Sequence, residues 1–558
     1  MDAIAERMTA KGGPFAVGAR MTGRGPQQVF LQGPQTLVEL YSDIASYGDA
    51  PVATGTLALT YRDLLARAGA LAAHLQRRHG VTTGSRVAIA LVNSPDWMAT
   101  FIAVTGLGGL AILMNDRSTA TEMNAALESA GCDLLVTGFA QACALKEAGH
   151  ATGRRILAAG EGDTAPFESL AGAFDEFKGA APAFAQVDPD LGAFVIFTSG
   201  TTDRPKGAVL THRSSLHGIR LTEFIASMNL TRAKGDAGIS LLRSPSVLLA
   251  APLFHISGGQ HGFIRALTKG QMLVPLPRWD PVAALKLVRQ HKLQLLGMVP
   301  TMAWDMLEVL KGDPGALDSL QYLSFGGTAL PAELVEPLHQ ALPHVVLGST
   351  YGSTEVAGAV TGLGGRDLDQ RPWSCGQVLP TVELRLEAPD GSEVAAGEPG
   401  EICVRGAMVM QGYLDRPDLT EQAMRGGWLH TGDVGTMDGD GFLRIVGRLK
   451  NMIISGGLNI YCDEIERILE GHDSVMEAIA HGRPDQRLGE RLAVTVVTKP
   501  GRTVEVDAIR EHATRHLAKY KVPRDIAVRS QPLPRLPNGK VDRKSFIAAD
   551  AAARGEPA

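Results

Sequence analysis

Hydrophobic and polar positions along the chain form two kinds of segment that alternate. Apolar runs of strand length recur, as in VAIALV (87–92), DLLVTG (133–138), AFVIFTS (193–199), SVLLAAPL (246–253) and VELRLEA (382–388). Segments with helical periodicity lie between them. In residues 61–80 one helical stripe is apolar, formed by Leu64, Leu65, Ala68, Leu71, Ala72 and Leu75. Strands that alternate with helices predict an α/β fold of layered sheets and helices.

One apolar stretch, residues 97–114, is long enough to span a bilayer. Thr100, Thr105 and the glycines at 106, 108 and 109 divide it into a short helix and a following strand. We therefore predict that this stretch is buried core and that the protein makes no stable membrane insertion.

The pattern changes near residue 448. Before it lies a β-rich stretch with the turns PDG (389–391) and DGDG (438–441), and after it a compact βα pattern. That pattern comprises the strand AVTVVTK (493–499) and a helix whose apolar face is Val506, Ile509, Ala513, Leu517 and Tyr520. We predict an N-terminal domain of residues 1–447 and a C-terminal domain of residues 448–558.

Composition narrows the class of protein. Of 558 residues, 45% are hydrophobic and 20% charged, as in soluble globular proteins. A net charge of −5 does not favour a nucleic-acid partner. The five cysteines form no CxxC pair, so they indicate neither a zinc site nor a disulfide framework, and a reduced cytoplasmic setting is expected. The N-terminus lacks the pattern of a secretory signal.

The strongest chemical motif is TSGTTDRPKG (198–207), directly after the predicted strand 193–199. Glycines and hydroxyl residues after a buried strand can direct N–H and O–H groups at phosphate oxygens, and Lys206 adds a positive charge. The spacing is not that of a Walker A loop. A plain Ser/Thr/Gly linker is the structural alternative, but a linker need not follow a buried strand.

Four weaker motifs follow: YGSTE (351–355), WLHTGD (428–433), GRLK (447–450) and PNGK (537–540). A tyrosine can stack on a base, a carboxylate can hold Mg²⁺, and an aspartate after a glycine turn can accept ribose hydroxyls. Each motif alone is also compatible with an ordinary turn or a solvated surface charge.

In this order the five motifs resemble the adenylate-forming superfamily of acyl-CoA synthetases, luciferases and peptide-synthetase adenylation domains. The resemblance covers about residues 37–546. It implies a large N-terminal domain of two α/β layered subdomains with a distorted β-barrel, followed by a small, mobile C-terminal α/β domain with its hinge near Lys450.

The resemblance also implies an ATP site. Tyr351 and Gly352 would contact adenine, Thr354 the α-phosphate, and Glu355 would ligate Mg²⁺. Asp433 and Arg448 would hold the ribose. The β- and γ-phosphates would be gripped by Thr198, Ser199, Gly200, Thr201, Thr202 and Lys206. The segment that lines the adenine and acyl sites would begin with Gly326, Gly327 and Thr328.

For the reaction itself, the resemblance implies that Lys540 neutralises the repulsion between carboxylate and phosphate. His255, in APLFHISGG, would lie beside the acyl carboxylate, although a packed core histidine is an alternative reading. Rotation about Lys450 would then bring Ser455, Gly456 and Gly457 to the pantetheine arm of coenzyme A.

Three positions depart from the family pattern. Asp203 stands where the phosphate loop usually has glycine, and a carboxylate there is electrostatically unhelpful unless it points outward. In the small domain GGLNIY replaces the usual GGENIY, and Cys462 follows it where proline or serine is common. We expect little functional effect from the two changes in the small domain.

The implied reaction is ATP-dependent activation of a carboxylic acid to acyl-AMP with release of pyrophosphate, and then acyl transfer to coenzyme A. The cofactors are ATP, Mg²⁺ and coenzyme A, and a homodimer is only a generic expectation. Ser257, Gly258 and Gly259 are small, so a medium- or long-chain fatty acid or an aromatic acid is expected to fit. No Arg or Lys in the predicted pocket segments would pair a second carboxylate.

Alternatives from the same fold are an acyl-AMP ligase that loads a carrier-protein thiol, a luciferase-like oxygenase and a β-lactone-forming synthetase. A nucleotide-binding protein without catalysis is the alternative from another class, and the presence of both Lys540 and Glu355 argues against it.

Overall fold

A computed structural model describes residues 3–55, 58–198, 206–236, 238, 246–327, 330–455, 458–535 and 541–554. By their internal contacts, the residues form two units. The first comprises Met1–Glu383 and Val404–Leu429, and the second Leu384–Cys403 and His430–Ala558. The predicted domain boundary at 447/448 and the predicted hinge at Lys450 describe which part of the chain moves, and both remain predictions.

The apolar runs of the N-terminal third form one eight-stranded sheet. In spatial order its strands are Gly412–Tyr413, Lys206–Thr211, Gly192–Thr198, Leu110–Leu113, Arg86–Ala90, Leu134–Gly138, Arg155–Ala159 and Glu168–Ser169. From Gly192–Thr198 to Glu168–Ser169 neighbouring strands are parallel. The helices that connect these strands along the chain are Pro95–Gly106, Ala120–Ser129, Phe139–Glu147 and Leu170–Glu176. The α/β prediction is confirmed.

The helix Tyr61–His79 shows how the sequence sets its own limits. Thr60 accepts a hydrogen bond from the Asp63 N–H, while the Asp63 side chain accepts one from the Thr60 N–H, which forms a capping box. The helix ends at Gly80, whose φ of 67° favours glycine. The predicted stripe from Leu64 to Leu75 is buried.

The apolar stretch 97–114 is core, as predicted. It forms most of the helix Pro95–Gly106 and the strand Leu110–Leu113, and every residue from Trp97 to Gly106 is buried. The rings of Trp97 and Phe101 stack at a centroid distance of 5.3 Å. Among the residues that the structure describes, no helix is both long and apolar enough to cross a membrane.

Two further sheets complete the main framework of the first unit. One contains Ser246–Leu249, Met272–Pro275, Pro51–Ala53 and Leu59–Thr60, and the other contains Leu295–Met298, Tyr322–Phe325, Val346–Ser353, Gly358–Gly364 and Gly376–Val378. Pro281–His291, Pro300–Leu310 and Ala332–Ala341 supply side chains to the core that this second sheet shares. The strand predicted for residues 246–253 ends at Leu249, since Pro252 accepts a turn hydrogen bond from the His255 N–H.

The remaining elements of the first unit frame these sheets. Its longest described helix is His212–Lys234, which Thr211 caps. A hairpin pairs Val17–Thr22 with Gly25–Phe30, and Met424–Arg425 is a short strand. Among the described residues of this unit, the other α-helices are Ala3–Thr9, Leu37–Ile44, Ile256–Gly258, Arg265–Lys269, Arg366–Gln370 and Pro417–Ala423.

The second unit has a sheet and core of its own. Its strands are Leu458–Tyr461, Met452–Ser455, Gly489–Thr498, Val475–Asp485 and Asp525–Arg529, and its helices are Cys462–Glu470, Val506–His516 and Arg543–Ala553. Most residues of the strands Gly400–Arg405 and Trp428–Met437 also belong to this unit, and Glu383–Glu387 and Phe442–Arg448 flank these strands in the sheet order.

The predicted helix face from Val506 to Tyr520 is wrong at its end. The helix stops at His516, Leu517 is extended, and Tyr520 is exposed in the short 3₁₀ turn Lys519–Lys521. The backbone of Leu517 is extended, with φ −122° and ψ 149°, so the helical face ends one residue before it.

Candidate functional site

The two ends of the predicted phosphate loop are fixed in the eight-stranded sheet. The strands Gly192–Thr198 and Lys206–Thr211 are antiparallel, with Thr198 opposite Lys206, and the Thr198 hydroxyl donates to the Lys206 carbonyl oxygen at 3.4 Å. The loop therefore starts and ends on paired residues. Ser199, Gly200, Thr201, Thr202 and the departing residue Asp203 lie outside the described residues.

Lys206 belongs to a polar cluster that sequence reasoning only partly found. Its Nζ lies 5.6 Å from the centre of the Tyr413 ring, and the Tyr413 hydroxyl donates to Glu355 Oε1 at 3.1 Å. The Met410 N–H donates to the Glu355 carbonyl oxygen at 2.7 Å. The strand Gly412–Tyr413 pairs with Lys206–Thr211, so the sheet itself brings Tyr413 to Lys206.

Tyr413 keeps its proton in this cluster. Burial raises the pKa of the Tyr413 phenol, and the neighbouring Glu355 carboxylate raises it further. The phenol is therefore a permanent donor that orients the Glu355 carboxylate. Nothing in YGSTE indicated this partner, which lies 58 residues downstream.

Glu355 fits the predicted role of a magnesium ligand. Its carboxylate is half-buried, and Oε1 accepts the tyrosine O–H. An ionised carboxylate has about four lone-pair directions, so one hydrogen bond leaves it able to ligate a cation. Mg²⁺ in nucleotide enzymes is commonly held by one or two carboxylates together with substrate phosphates.

The predicted adenine segments meet at one edge of a parallel sheet. Met298, Phe325 and Ser349 are in register near the carboxyl ends of three adjacent strands. Gly326 follows the second strand, and Tyr351 lies near the end of the third. This is the edge at which open α/β sheets usually bind ligands. Thr328 lies outside the described residues, and Gly327 has a φ of 81°.

The turn that carries Thr354 and Glu355 is closely packed. A Cβ at Gly352 would lie 1.6 Å from the Gly358 carbonyl oxygen, so only glycine fits there. The strand is irregular between Tyr351 and Gly352, and the short 3₁₀ turn Thr354–Val356 follows. The Gln260 side-chain amide donates to the Ala357 carbonyl oxygen. This packing fixes the direction of the Glu355 side chain.

His255 is exposed, and therefore the alternative reading as a packed core histidine is wrong. It caps the one-turn helix Ile256–Gly258, and its Nδ1 lies 2.9 Å from the Ser257 hydroxyl. Gly258 and Gly259 pack closely against the backbone that precedes them. A Cβ at these positions would lie 2.1 Å from the Pro252 oxygen and 2.4 Å from the Leu253 oxygen.

In the second unit, the two predicted ribose residues form an ion pair. Asp433 and Arg448 lie opposite each other on paired strands, with Arg448 Nε 2.8 Å from Asp433 Oδ1. The Asp433 side chain is 10% exposed and that of Arg448 is 50% exposed. Arg448 thus fixes one carboxylate oxygen of Asp433.

The turn before Asp433 is held by Glu401, a residue that the sequence analysis missed. Glu401 Oε1 accepts the Gly432 N–H at 3.1 Å, and Oε2 lies 2.9 Å from His430 Nδ1. The Asp433 N–H donates to the Thr431 hydroxyl at 3.1 Å. The only sequence signal was the spacing of His430 and Asp433 in WLHTGD, because Glu401 comes from a distant strand.

Comparison with known proteins identifies the family. A sequence model of AMP-binding enzymes matches residues 41–414, about two thirds of the chain, and one of the AMP-binding enzyme C-terminal domain matches residues 464–540. The chain belongs to the AMP-binding enzymes. It is an acyl-CoA synthetase-like member of the adenylate-forming superfamily and an acid–thiol ligase.

Several characterised AMP-binding enzymes are similar over most of the chain. A feruloyl-CoA synthase from Amycolatopsis is 34% identical over 87% of this chain and 93% of its own length. A long-chain-fatty-acid–CoA ligase from Salmonella typhimurium is 32% identical over 92% and 94%. The structure of o-succinylbenzoate CoA synthetase from Bacillus subtilis with its acyl-adenylate intermediate superposes with a TM-score of 0.76 at 26% identity, covering 91% and 97%.

In this AMP-binding enzyme the residues predicted for acyl transfer lie in the second unit. Lys450 is exposed in the 3₁₀ turn Leu449–Asn451, and Ser455 ends the strand Met452–Ser455 opposite Leu458. Gly456, Gly457 and Lys540 lie outside the described residues.

Proposed function

We propose that this enzyme activates an aromatic carboxylic acid with ATP and transfers the acyl group to coenzyme A. The observation that carries the proposal is the cluster of Lys206, Tyr413 and Glu355 at the end of the phosphate hairpin. It combines a cation for phosphate with an oriented carboxylate for Mg²⁺, which are the two groups that ATP requires.

In the first half-reaction a carboxylate oxygen of the acid attacks the α-phosphorus of ATP. A new O–P bond forms, the bond between the α-phosphorus and its bridging oxygen breaks, and pyrophosphate leaves with the electron pair. Both reactants are anionic, so positive charge must accompany their approach. We assign this to Lys206 and Lys540, and a bound Mg²⁺ would supply further neutralisation of the phosphates. Stabilisation of this kind contributes about 3–4 kcal/mol.

Asp433 and Arg448 have the chemistry to hold the ribose during this step. A carboxylate accepts hydrogen bonds from both ribose hydroxyls, and Arg448 limits its rotation. His255, exposed at a helix cap, is assigned to the acyl carboxylate.

In the second half-reaction the thiolate of coenzyme A attacks the carbonyl carbon of the acyl-adenylate. A C–S bond forms, the bond from that carbon to the phosphate oxygen breaks, and AMP leaves with the electron pair. The thiol proton passes to solvent. Ser455, Gly456 and Gly457 are assigned to the approach of the pantetheine arm because glycine permits close passage of a ligand.

The names of relatives support an aromatic acid. Two of the proteins named above are synthetases whose names specify feruloyl and o-succinylbenzoyl groups, both of them aromatic.

The test is release of AMP and pyrophosphate across a panel of acids with and without coenzyme A, with mass spectrometry for thioesters. The panel contains ferulate, 4-coumarate, benzoate, octanoate and palmitate, and Glu355→Gln is the control that should lose pyrophosphate release with every acid. We expect an aroyl- or cinnamoyl-type thioester with the highest kcat/KM.

Each other outcome contradicts a separate part of the proposal. Highest kcat/KM with palmitate would overturn the substrate class while retaining the reaction. Pyrophosphate release without a thioester would overturn coenzyme A as acceptor and favour a carrier-protein thiol. No acid-dependent AMP with any member of the panel would contradict the proposal as a whole.

A further inference from the structure

A cluster of two histidines and two glutamates lies in the first unit, outside the residues assigned to the reaction. His74 and His79 belong to the last turns of the helix Tyr61–His79. Glu168 lies in the edge strand Glu168–Ser169, and Glu176 ends the helix Leu170–Glu176. The fold thus brings together residues that are about 90 positions apart in the sequence.

The side chains converge on the Glu168 carboxylate. His74 Nε2 lies 2.6 Å from Glu168 Oε1, and His79 Nε2 lies 3.0 Å from Glu168 Oε2. The other nitrogen of His74, Nδ1, lies 2.7 Å from Glu176 Oε2. The side chains of His74 and His79 are only 4% and 8% exposed, whereas that of Glu168 is 39% exposed.

Each ring nitrogen of His74 faces a carboxylate oxygen, so a proton or a metal ion must lie between the two atoms of each pair. A neutral imidazole has one N–H, yet His74 faces a carboxylate oxygen on each of its nitrogens. If Nδ1–H donates to Glu176, then the Nε2 lone pair faces Glu168, and a proton or a metal ion must lie between them.

His79 supplies the second, independent observation. It is more than nine-tenths buried, and neither ring nitrogen has a hydrogen-bond partner among the residues that the structure describes. Its Nε2 lies 3.0 Å from Glu168 Oε2, on the carboxylate that His74 also faces, but without the alignment of a hydrogen bond. A buried imidazole that is beside a carboxylate and is not hydrogen-bonded to it has a nitrogen lone pair available for a metal ion.

We propose that His74, His79 and Glu168 bind one divalent transition-metal ion of the zinc class. The three ligand atoms lie within 4.8 Å of one another. In a tetrahedral zinc site with bonds of about 2.0–2.1 Å, neighbouring ligand atoms are ~3.3 Å apart. The two nitrogen–oxygen distances of 2.6 and 3.0 Å are each within ~1 Å of that separation. The proposed site contains no cysteine, so the absence of a CxxC pair does not argue against it.

The surrounding contacts match what such a site needs. Glu176 accepts from His74 Nδ1 and so directs Nε2 at the ion, as carboxylate–histidine pairs do in zinc proteins. Arg78 Nε donates to Glu176 at 2.7 Å and holds that carboxylate in turn. The exposed side of Glu168 provides an entry path and leaves the fourth position to water.

The ion would act as a structural cross-link. It would tie the C-terminal end of the helix Tyr61–His79 to the edge strand Glu168–Ser169. Its binding would therefore raise the thermal stability of the first unit without a part in the acyl transfer.

The test uses the full-length protein, stripped with chelator and then titrated with Zn²⁺ against a chromogenic competitor. Zinc content after gel filtration is measured by elemental mass spectrometry. We expect about one zinc per wild-type chain and a rise in the melting temperature. His79→Gln and Glu168→Gln should each weaken binding at least ~10-fold and abolish that rise.

His516→Gln is the matched control, since His512 and His516 form an exposed ring pair in the second unit that can bind zinc adventitiously. It should leave the tight site unchanged. Equal zinc content in the wild type and His79→Gln would overturn the proposal, and so would a tight site lost only in His516→Gln. A melting temperature that responds to pH but not to Zn²⁺ would show that protons alone occupy the cluster.

Discussion

At the scale of single residues, the motif residues depend on side chains outside the motifs for their orientation. Glu355 alone is a half-exposed carboxylate on a turn. The Tyr413 hydroxyl gives it a direction, and Lys206 above the Tyr413 ring gives the same cluster a positive charge. A buried phenol with a raised pKa supplies this hydrogen bond across the whole working pH range.

Tyr413→Phe removes the donor and leaves the ring in place. Loss of a hydrogen bond to a charged group costs about 1–2 kcal/mol, so we expect KM for MgATP to rise roughly 5–30-fold with a smaller change in melting temperature. Pyrophosphate release at varied ATP and Mg²⁺ measures it, and the exposed Tyr520→Phe is the control. An unchanged KM together with an unchanged Mg²⁺ requirement would remove Tyr413 from the site.

A second residue-scale prediction concerns acid sensitivity. Burial lowers the pKa of His212 to about 4, and its Nδ1 accepts the Leu37 N–H at 3.2 Å, which requires the unprotonated nitrogen. The unfolded chain, with a histidine pKa near 6.5, binds the proton more readily. The contribution of unprotonated His212 to the free energy of unfolding is therefore fully present above pH ~6.5 and is lost as the pH falls towards 4.

The corresponding change is His212→Asn, which keeps an acceptor but cannot titrate. We expect lower stability at pH 7.5 because of the smaller side chain, and a flatter fall in the calorimetric midpoint between pH 6.5 and 4.5. At most about 2–3 kcal/mol of the pH dependence belongs to this residue. The exposed His516→Asn should keep the wild-type slope. The same slope in both variants would contradict the assignment.

At the scale of elements, the site residues are held by turns that the neighbouring strands clamp. Gly352 has no room for a side chain against Gly358, and this fixes the turn that carries Thr354 and Glu355. In the second unit Glu401 spans the turn before Asp433 with both carboxylate oxygens. Contacts from neighbouring strands thus set the positions of the turns that carry the site residues.

Glu401→Gln tests this clamp. An amide has one acceptor oxygen, so if that oxygen accepts the Gly432 N–H, then His430 Nδ1 faces an amide NH₂ group and no longer a carboxylate oxygen. We expect a roughly 5–10-fold higher KM for ATP with nearly unchanged kcat, since about 1 kcal/mol of positioning is lost. The ratio of kcat/KM for ATP over 2′-deoxyATP should fall as well.

Glu398→Gln, at an exposed position near the same strand, should behave as wild type. If Glu401→Gln lowers the melting temperature and leaves both the KM and the deoxy-nucleotide ratio unchanged, then Glu401 is structural and does not position Asp433.

At the scale of the whole molecule, the chain consists of two units with separate cores. The core of the second unit includes Ile465, Leu469 and Ile509, and that of the first includes the layers around its parallel sheets. We propose that different residues of the second unit act in the two half-reactions, Lys540 in adenylation and Ser455, Gly456 and Gly457 in acyl transfer. This requires that Lys540 act in adenylation only.

Lys540→Ala should lower acid-dependent pyrophosphate release by about 10²–10³-fold, the effect of removing one charge-stabilising group. Thioester formation from chemically prepared acyl-AMP and coenzyme A should stay within a few-fold of wild type. Lys499→Ala, at an exposed position in the same unit, is the control. Equal loss of both half-reactions would contradict the division of labour.

The sequence by itself determined the elements and the identity of the motif residues. Continuous apolar runs and one apolar helical stripe indicated the strands at 86–90, 134–138 and 192–198 and the helix Tyr61–His79, because these depend on neighbours within a few residues. Thr198, Lys206, Tyr351 and Glu355 were identifiable because their motifs are local. The interpretation of residues 97–114 as core likewise followed from local glycines.

Tertiary structure decided what the motifs contact. Tyr413 reaches Glu355 from 58 residues away, Glu401 reaches His430 across 29, and Glu168 reaches His74 across 94. Sheet pairing creates these contacts, and one sequence carries no signal of which strands pair. The end of the helix predicted to reach Tyr520 was also not identifiable from the pattern of apolar residues, since Leu517 is extended and Tyr520 lies in a separate 3₁₀ turn.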